Sequence, residues 1–371
     1  MNAVALTQEL VRIRTVNPLD PERPAAERAG KLLQDAGWSV STYEFAPGRA
    51  SVVARREGAE GDPLCLAGHL DTVPLGAAPW SHDPFAGEVA GDKLYGRGSS
   101  DMKSGVAAIV AAALELSKAR LRGPGLTVVL VAAEETGCEG AAHLARTPSA
   151  LGRAGALLVA EPTGNQPVVG HKGALWLRAR VRGVTAHGSM PERGVNAVVK
   201  AARAVLELGN LRFDVPADPL LGKPTLNVGT IAGGLNINSV PDEAVIGIDI
   251  RTVPAQRHAQ VRAQLTSVLG PDVELLPIVD LQGVRTDEND PFVQRVLDAV
   301  REVTGEMPRP GSATYFTDAS VLTPAYGAVP TVVLGPGEMA LCHQTDEWCS
   351  VKRIEQAVET YVRIARDWCR A

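Results

Sequence analysis

The chain has 371 residues, a formal net charge of −5, 45% hydrophobic and 21% charged residues, and 4% aromatics. That length exceeds one compact core and implies two domains of ~100–200 residues each. Scattered Lys and Arg exclude a basic face for nucleic acid or an anionic membrane, and no apolar stretch approaches the ~18 residues needed to span a bilayer.

Few aromatics beside 37 glycines favour an α/β protein with tight strand–helix turns over a β-sandwich. The start, MNAVALTQELVRI, lacks the basic residues and long apolar run of a secretion signal. Cys65, Cys138, Cys342, Cys349 and Cys369 match neither a disulfide framework nor a CxxC zinc knuckle. Reduced thiols in the cytoplasm are therefore expected.

From about 1 to 172 helical and strand patterns alternate. A helix near 22–36 should stop at Gly37. Residues 64–67, 126–133 and 156–160 are short, continuously apolar runs, which suit strands buried on both faces of a mostly parallel sheet. Between the first two lies an Ala-rich helix from about 104 to 119, whose apolar stretch 105–114 reads as buried. The texture changes from about 174 to 283. Residues 174–183 alternate apolar and polar, as 244–250 do approximately, which marks strands with one wet face. Helical patterns lie between and after them, at about 194–209 and 255–269. A helix at 290–304, an apolar strand at 329–334 and a helix from 351 return to the first texture. The expectation is an α/β domain with a mostly parallel sheet, residues 1–173 and 284–371, interrupted by a smaller α+β domain, residues 174–283.

Ligands of open α/β sheets bind beyond the carboxyl ends of the strands. The run 64–67 leads into His69 and Asp71, 126–133 into Glu134 and Glu135, and 156–160 into Glu161. Asp101 lies in the glycine-rich stretch 96–103, and His343 follows the strand at 329–334. Taken singly, these are a loop, a solvated turn, a strand end and a helix cap. Their recurrence at strand ends is what points to a hydrolytic metal site. Zinc accepts His nitrogen and carboxylate oxygen. Two metals ~3.5–4 Å apart can share a carboxylate, and a further, unligated carboxylate must take a proton from water. Asp71 stands two residues after His69, where an extended chain lets it accept a hydrogen bond from the ring nitrogen that does not bind metal.

The segments GHLDTVP (68–74), WSHDPF (80–85), KLYGRGSSDMKSG (93–105), AAEETGCEGA (132–141), AEPTG (160–164) and CHQTDEW (342–348) resemble the metallo-aminoacylase and carboxypeptidase family, whose members include acetylornithine deacetylase and succinyl-diaminopimelate desuccinylase. The likeness runs over essentially the whole chain. It implies two divalent metals, zinc or cobalt. His69 and Glu161 would hold one, Glu135 and His343 the other, and Asp101 would bridge them. Glu134 would be the general base and later the proton donor, and Asp71 would orient His69. Glu134 and Glu135 would face opposite ways in a regular strand, so both can serve the site only where the strand has ended.

The resemblance also implies an inserted lid domain that commonly dimerises. There His187 would stabilise the oxyanion, Asn238 would contact substrate, and Arg251 would grip a carboxylate with its planar fork. Residues 161–175, 223–234, 313–320 and 330–348 fit the deacetylase pattern better than the desuccinylase one. The implied partner is a small N-acylated amino acid or dipeptide, with no nucleic acid and no membrane. Deacetylation ranks first, desuccinylation second, and release of glutamate or cleavage of a dipeptide third. A metal-dead binding protein stays open as another class, although all implied ligands and the base are present. A serine hydrolase lacks its GxSxG elbow here.

Overall fold

The computed structural model describes residues 2–371. The chain divides into two compact units: Met1–Gly170 with Arg285–Ser312 and Thr317–Ala371, and His171–Val284 with Ala313–Phe316.

In the first unit the centre of a nine-stranded sheet is parallel, in the order Leu126–Val131, Leu64–His69, Ala156–Val159, Thr331–Val333. Every residue of these four strands is buried, which is why they read as unbroken apolar runs. Antiparallel strands flank the centre. The hairpin Ser39–Ala46/Arg49–Arg56 extends one side and Val168–His171 the other. The hairpin turns at Gly48 (φ +79°) and carries a mixed polar pattern that gave no strand signal.

The helix Ser104–Leu116 buries Val106, Ile109, Val110 and Leu116, each contributing ~1.5–3 kcal/mol by its removal from water. Its first turn comes so close to the sheet that a Cβ on Gly105 would meet the carbonyl oxygen of Ala160 at 2.2 Å. Only glycine permits that approach. The helices Arg23–Asp35, Pro291–Thr304 and Val351–Cys369 fall where the sequence places them, and Gly37 and Gly305 take left-handed conformations at φ +85° and +76°. Three strands are shorter than their apolar runs: 126–131 against 126–133, 156–159 against 156–160, and 331–333 against 329–334. Pairing stops at Val131, not 133, because Ala133 turns into the left-handed region at φ +60°.

The second unit is an antiparallel sheet in the order Thr225–Gly233, Glu243–Thr252, Gly173–Arg182, Val273–Leu281. Leu175, Leu177, Ala179 and Val181 alternate inward with Ala244, Ile246, Ile248 and Ile250. They pack on Ala201, Ala204 and Leu208 of helix Ala197–Asn210 and on Val261 and Leu265 of helix His258–Leu269. Asn196 caps the first of these helices, its side chain accepting from the Val199 N–H at 3.0 Å. Among the described residues no helix is long and apolar enough to cross a membrane.

Candidate metal centre

His69 ends its strand and points its ring into a group of buried acids. Nε2 lies 3.0 Å from Asp101 Oδ1 and 3.8 Å from Glu161 Oε2. The second oxygen of Asp101 faces the other imidazole, with His343 Nε2 at 3.5 Å. His343 also reaches Glu135, 3.3 Å to Oε1 and 3.2 Å to Oε2. Two donor sets result, His69–Asp101–Glu161 and Asp101–Glu135–His343, each with its ligand atoms within 4.8 Å of one another. Asp101 belongs to both and Glu134 to neither.

Local structure explains how adjacent glutamates serve one site. Beyond Val131 the chain is no longer strand. The left-handed Ala133 turns it, and the N–H groups of Gly137 and Cys138 close on the Glu134 carbonyl at 2.8 and 2.9 Å. Gly140 allows the turn to pack, since a Cβ there would meet the Ala132 carbonyl at 2.2 Å. Asp71 then fixes both glutamates by the backbone, Oδ1 accepting from the Glu134 N–H at 3.0 Å and Oδ2 from the Glu135 N–H at 3.1 Å.

The His69 ring nitrogen facing away from the acids, Nδ1, lies 3.0 Å from the main-chain carbonyl of Asp71, whereas the Asp71 carboxylate stands 3.6 Å away. The reason is competition: the Asp71 carboxylate is occupied by the two glutamate N–H groups and by the Asn17 side-chain amide.

The charges explain what the cluster would bind. Burial alone would push the His69 imidazolium down, yet the carboxylates of Glu161, Asp101 and Asp71 hold it well above its ordinary 6.5. Hydrogen bonds to Asp101 and Glu135 push His343 up to about 10. Burial and the Asp101 charge push Glu135 up to about 7. Glu134 rises well above 4.5, through burial first and then the charges of Glu161, Asp318 and Glu135. Glu161 rises with it, again mainly through burial. So many acids crowded out of water repel one another. Among the described residues Glu161 Oε1 is buried with no hydrogen-bond partner, which is costly for an anion unless a cation meets it. Two imidazoles and three carboxylates with this spacing suit divalent cations.

The candidates of the second unit are arranged differently. The two-stranded ribbon Ala186–His187/Ser239–Val240 pairs His187 with Ser239, so His187 and Asn238 become neighbours although distant in sequence. Both are exposed. His187 Nδ1 is engaged by Ser189, 2.7 Å from Oγ and 3.2 Å from the N–H. Arg251 lies over the Trp176 ring, 5.6 Å from its centroid, and donates through Nε and Nη2 to Asp249 at 2.9 and 3.1 Å. One edge of its fork is thus already taken.

Four buried polar residues, Asn17, Glu22, Asp318 and Glu347, escaped sequence reasoning. Asn17 bridges Asp71 and Arg49, and Arg49 pairs with the buried Glu22 at 2.7 Å. Asp318 is fully buried, its oxygens lack any N–H or O–H donor among the described residues, and burial pushes it up to about 7. In sequence it passes for a helix cap. Glu347 is also fully buried.

Comparison with known proteins identifies the family. Residues 65–367 match the family described as peptidase family M20/M25/M40. Acetylornithine deacetylase of Vibrio atlanticus is 29% identical over 384 residues, covering 97% of each chain. An M20 family metallo-carboxypeptidase of Sulfolobus solfataricus shares the fold at a TM-score of 0.83 with 17% identity, covering 100% of both chains. A dinuclear metal-binding M20 peptidase of Bacillus subtilis does so at 0.73 with 15% identity, covering 100% of this chain and 98% of the other. A match over so much of the chain makes this protein a metal-dependent hydrolase belonging to peptidase family M20/M25/M40.

Proposed function

We propose that the protein hydrolyses the amide of a small N-acylated amino acid at a pair of divalent cations, with N-acetylornithine as the first candidate substrate. The observation that carries this reading is the pair of three-residue donor sets sharing Asp101, with Glu134 beside them and in neither. His69 and Glu161 would hold one cation, Glu135 and His343 the other, and Asp101 both. Zinc fits this donor set, and cobalt is the substitute to test. Bound cations would supply Lewis acidity at the scissile carbonyl and lower the pKa of an attacking water.

The chain's own residues do the rest. Glu134 takes the water's proton and returns it to the departing amine. Burial among other acids raises its pKa, which favours its holding the proton between the two transfers. Asp71 holds Glu134 and Glu135 in place through their N–H groups. In the second unit His187 would donate to the oxyanion, Asn238 would contact substrate, and the free edge of Arg251 would meet a carboxylate.

Acetyl ahead of succinyl rests on the deacetylase-like segments and on the relative at 29% identity. On that reading the enzyme serves arginine biosynthesis. The five unpaired cysteines support a cytoplasmic setting. We also propose that the second unit dimerises. Val199 and Leu206 on its first helix and Ile231 on its edge strand are exposed apolar side chains, and an open edge strand invites pairing.

A zinc-loaded activity panel tests the substrate: N-acetylornithine, N-acetyl-lysine, N-succinyl-diaminopimelate, N-acetylmethionine and a glutamyl dipeptide. The reading expects the highest kcat/KM on N-acetylornithine. Preference for the succinyl substrate moves the assignment to desuccinylation, preference for the dipeptide moves it to peptidase action, and turnover of none contradicts it.

A further inference from the structure

We propose that Glu347 is a positioning residue for the metal centre, its carboxylate fixing the backbone of Asp101 and so the place of the ligand shared by both cations. The inference rests on the two-metal reading. Four donors converge on this buried side chain. Oε1 accepts from the main-chain N–H groups of Ser100 at 2.8 Å and Asp101 at 2.9 Å. Oε2 accepts from the Gly98 N–H at 3.0 Å and from the Arg97 guanidinium at 2.5 Å. Arg97 is buried too, donates to the Pro74 carbonyl at 3.1 Å, and lies 5.2 Å from the Trp80 ring centroid.

The geometry demands a carboxylate. A carboxylate accepts at both oxygens, whereas a carboxamide would turn an NH2 group against one of the two donor pairs. The donors converge because Gly98 is left-handed (φ +82°), in a place where a Cβ would meet Thr72 Cγ2 at 2.5 Å.

The neighbouring contacts join the same two segments. Gly96 N–H donates to the Glu347 carbonyl at 2.9 Å, and Ser100 Oγ to the Trp348 carbonyl at 2.8 Å. The strand Trp348–Ser350 pairs with Lys93–Tyr95. Glu347 also follows His343 by four residues. It therefore ties the loop that carries Asp101 to the loop that carries His343.

This arrangement has a signature that a plain buried ion pair lacks. Asp101 lies in both donor sets, so shifting its backbone loosens both cations together. Removing His343 touches one set only. Glu347→Asp keeps the charge opposite Arg97 but withdraws the carboxylate by one methylene, so it cannot serve both ends of its donor array. Glu347→Gln keeps the length and spoils the acceptor pattern.

The test is calorimetric titration with Zn²⁺ of the metal-stripped full chain, comparing wild type, Glu347→Asp, Glu347→Gln and His343→Ala, with the thermal midpoint of each metal-free protein. Wild type should take up two ions. Both Glu347 variants should bind both ions about 10–100-fold more weakly, as loss of an orienting partner does. The metal-free midpoint of Glu347→Asp should stay near wild type, and kcat of the loaded enzyme should fall with KM little changed. His343→Ala should lose one binding step and keep the other. Wild-type affinity at both steps in Glu347→Asp overturns the proposal, as does a loss confined to one step. Collapse of the metal-free fold in both Glu347 variants also overturns it, by making the residue a folding determinant. If wild type itself binds no zinc, the two-metal reading fails first. Two ions in wild type with unchanged Glu347→Asp sinks this inference alone.

Discussion

The strands Leu64–His69 and Glu243–Thr252 both carry a residue singled out for chemistry, yet the two settings differ. His69 is buried at the end of a strand covered on both faces, and its partners are other candidate ligands. Arg251 lies on a strand with one wet face, keeps 26% of its side chain exposed, and is neutralised by Asp249 two residues away. In a sheet buried on both faces an ionisable side chain is costly inside a strand, so such residues gather where the strand ends. In a sheet with a wet face a polar residue costs little anywhere, and its position says little about its role.

That contrast predicts where substitutions cost most. Removing the metals with a strong chelator should abolish turnover and lower the thermal midpoint, with zinc restoring both. Activity that survives exhaustive chelation would break the account of the first unit. Next in size, Glu134→Ala should reduce kcat by ~10²–10⁴ while both metals stay bound. Metal content by mass spectrometry separates this from loss of a ligand, and full residual activity would remove Glu134 from the role of base.

His187→Ala sharpens the comparison from the other unit. As an oxyanion donor it should cost ~10²–10³ in kcat with metal content unchanged. A wild-type rate would leave the second unit without a catalytic part. Smaller still, Gly105→Ala forces the helix Ser104–Leu116 away from Ala160 and should destabilise by ~1–3 kcal/mol, read as a shifted denaturant midpoint. No shift would mean that the close approach is absent in solution.

The pH dependence of the metal-free protein is the subtlest effect. Glu135 rises from 4.5 to about 7 and His343 from 6.5 to about 10. Both hold protons more tightly folded than unfolded. Their stabilising contribution is complete below the unfolded values and is lost as pH rises through the folded ones. The thermal midpoint in chelator should therefore fall between pH 4.5 and about 10. Bound cations displace those protons, so the midpoint gained on adding zinc should grow over the same range. A gain that shrinks with pH would contradict the assignment of these two residues as ligands.

Much of the first unit was legible in sequence because burial on both faces writes itself as unbroken apolar runs. The acids that follow those runs, Glu134, Glu135 and Glu161, were legible for the same reason. The exact turn was not, since nothing in Ala132-Ala133 announces a left-handed residue. Glu347, Asp318 and Asn17 were hidden because each looks like ordinary surface or cap chemistry until tertiary contacts bury it. In the second unit the inner strands were legible from their alternation. The edge strand Thr225–Gly233 was not, because its exposed side chains carry no clean period. The approach of His187 to Asn238 depends on a two-residue ribbon that no local pattern reveals.

The central claim is that residues far apart in the chain converge to hold two neighbouring cations. A crystal structure of the zinc-loaded protein, with anomalous scattering measured at the zinc edge, tests it most directly. The account predicts two peaks ~3.5–4 Å apart, one among His69, Asp101 and Glu161, the other among Asp101, Glu135 and His343, with Glu134 unligated. A single peak, or a cation held by Glu134 in place of Glu135, would contradict it.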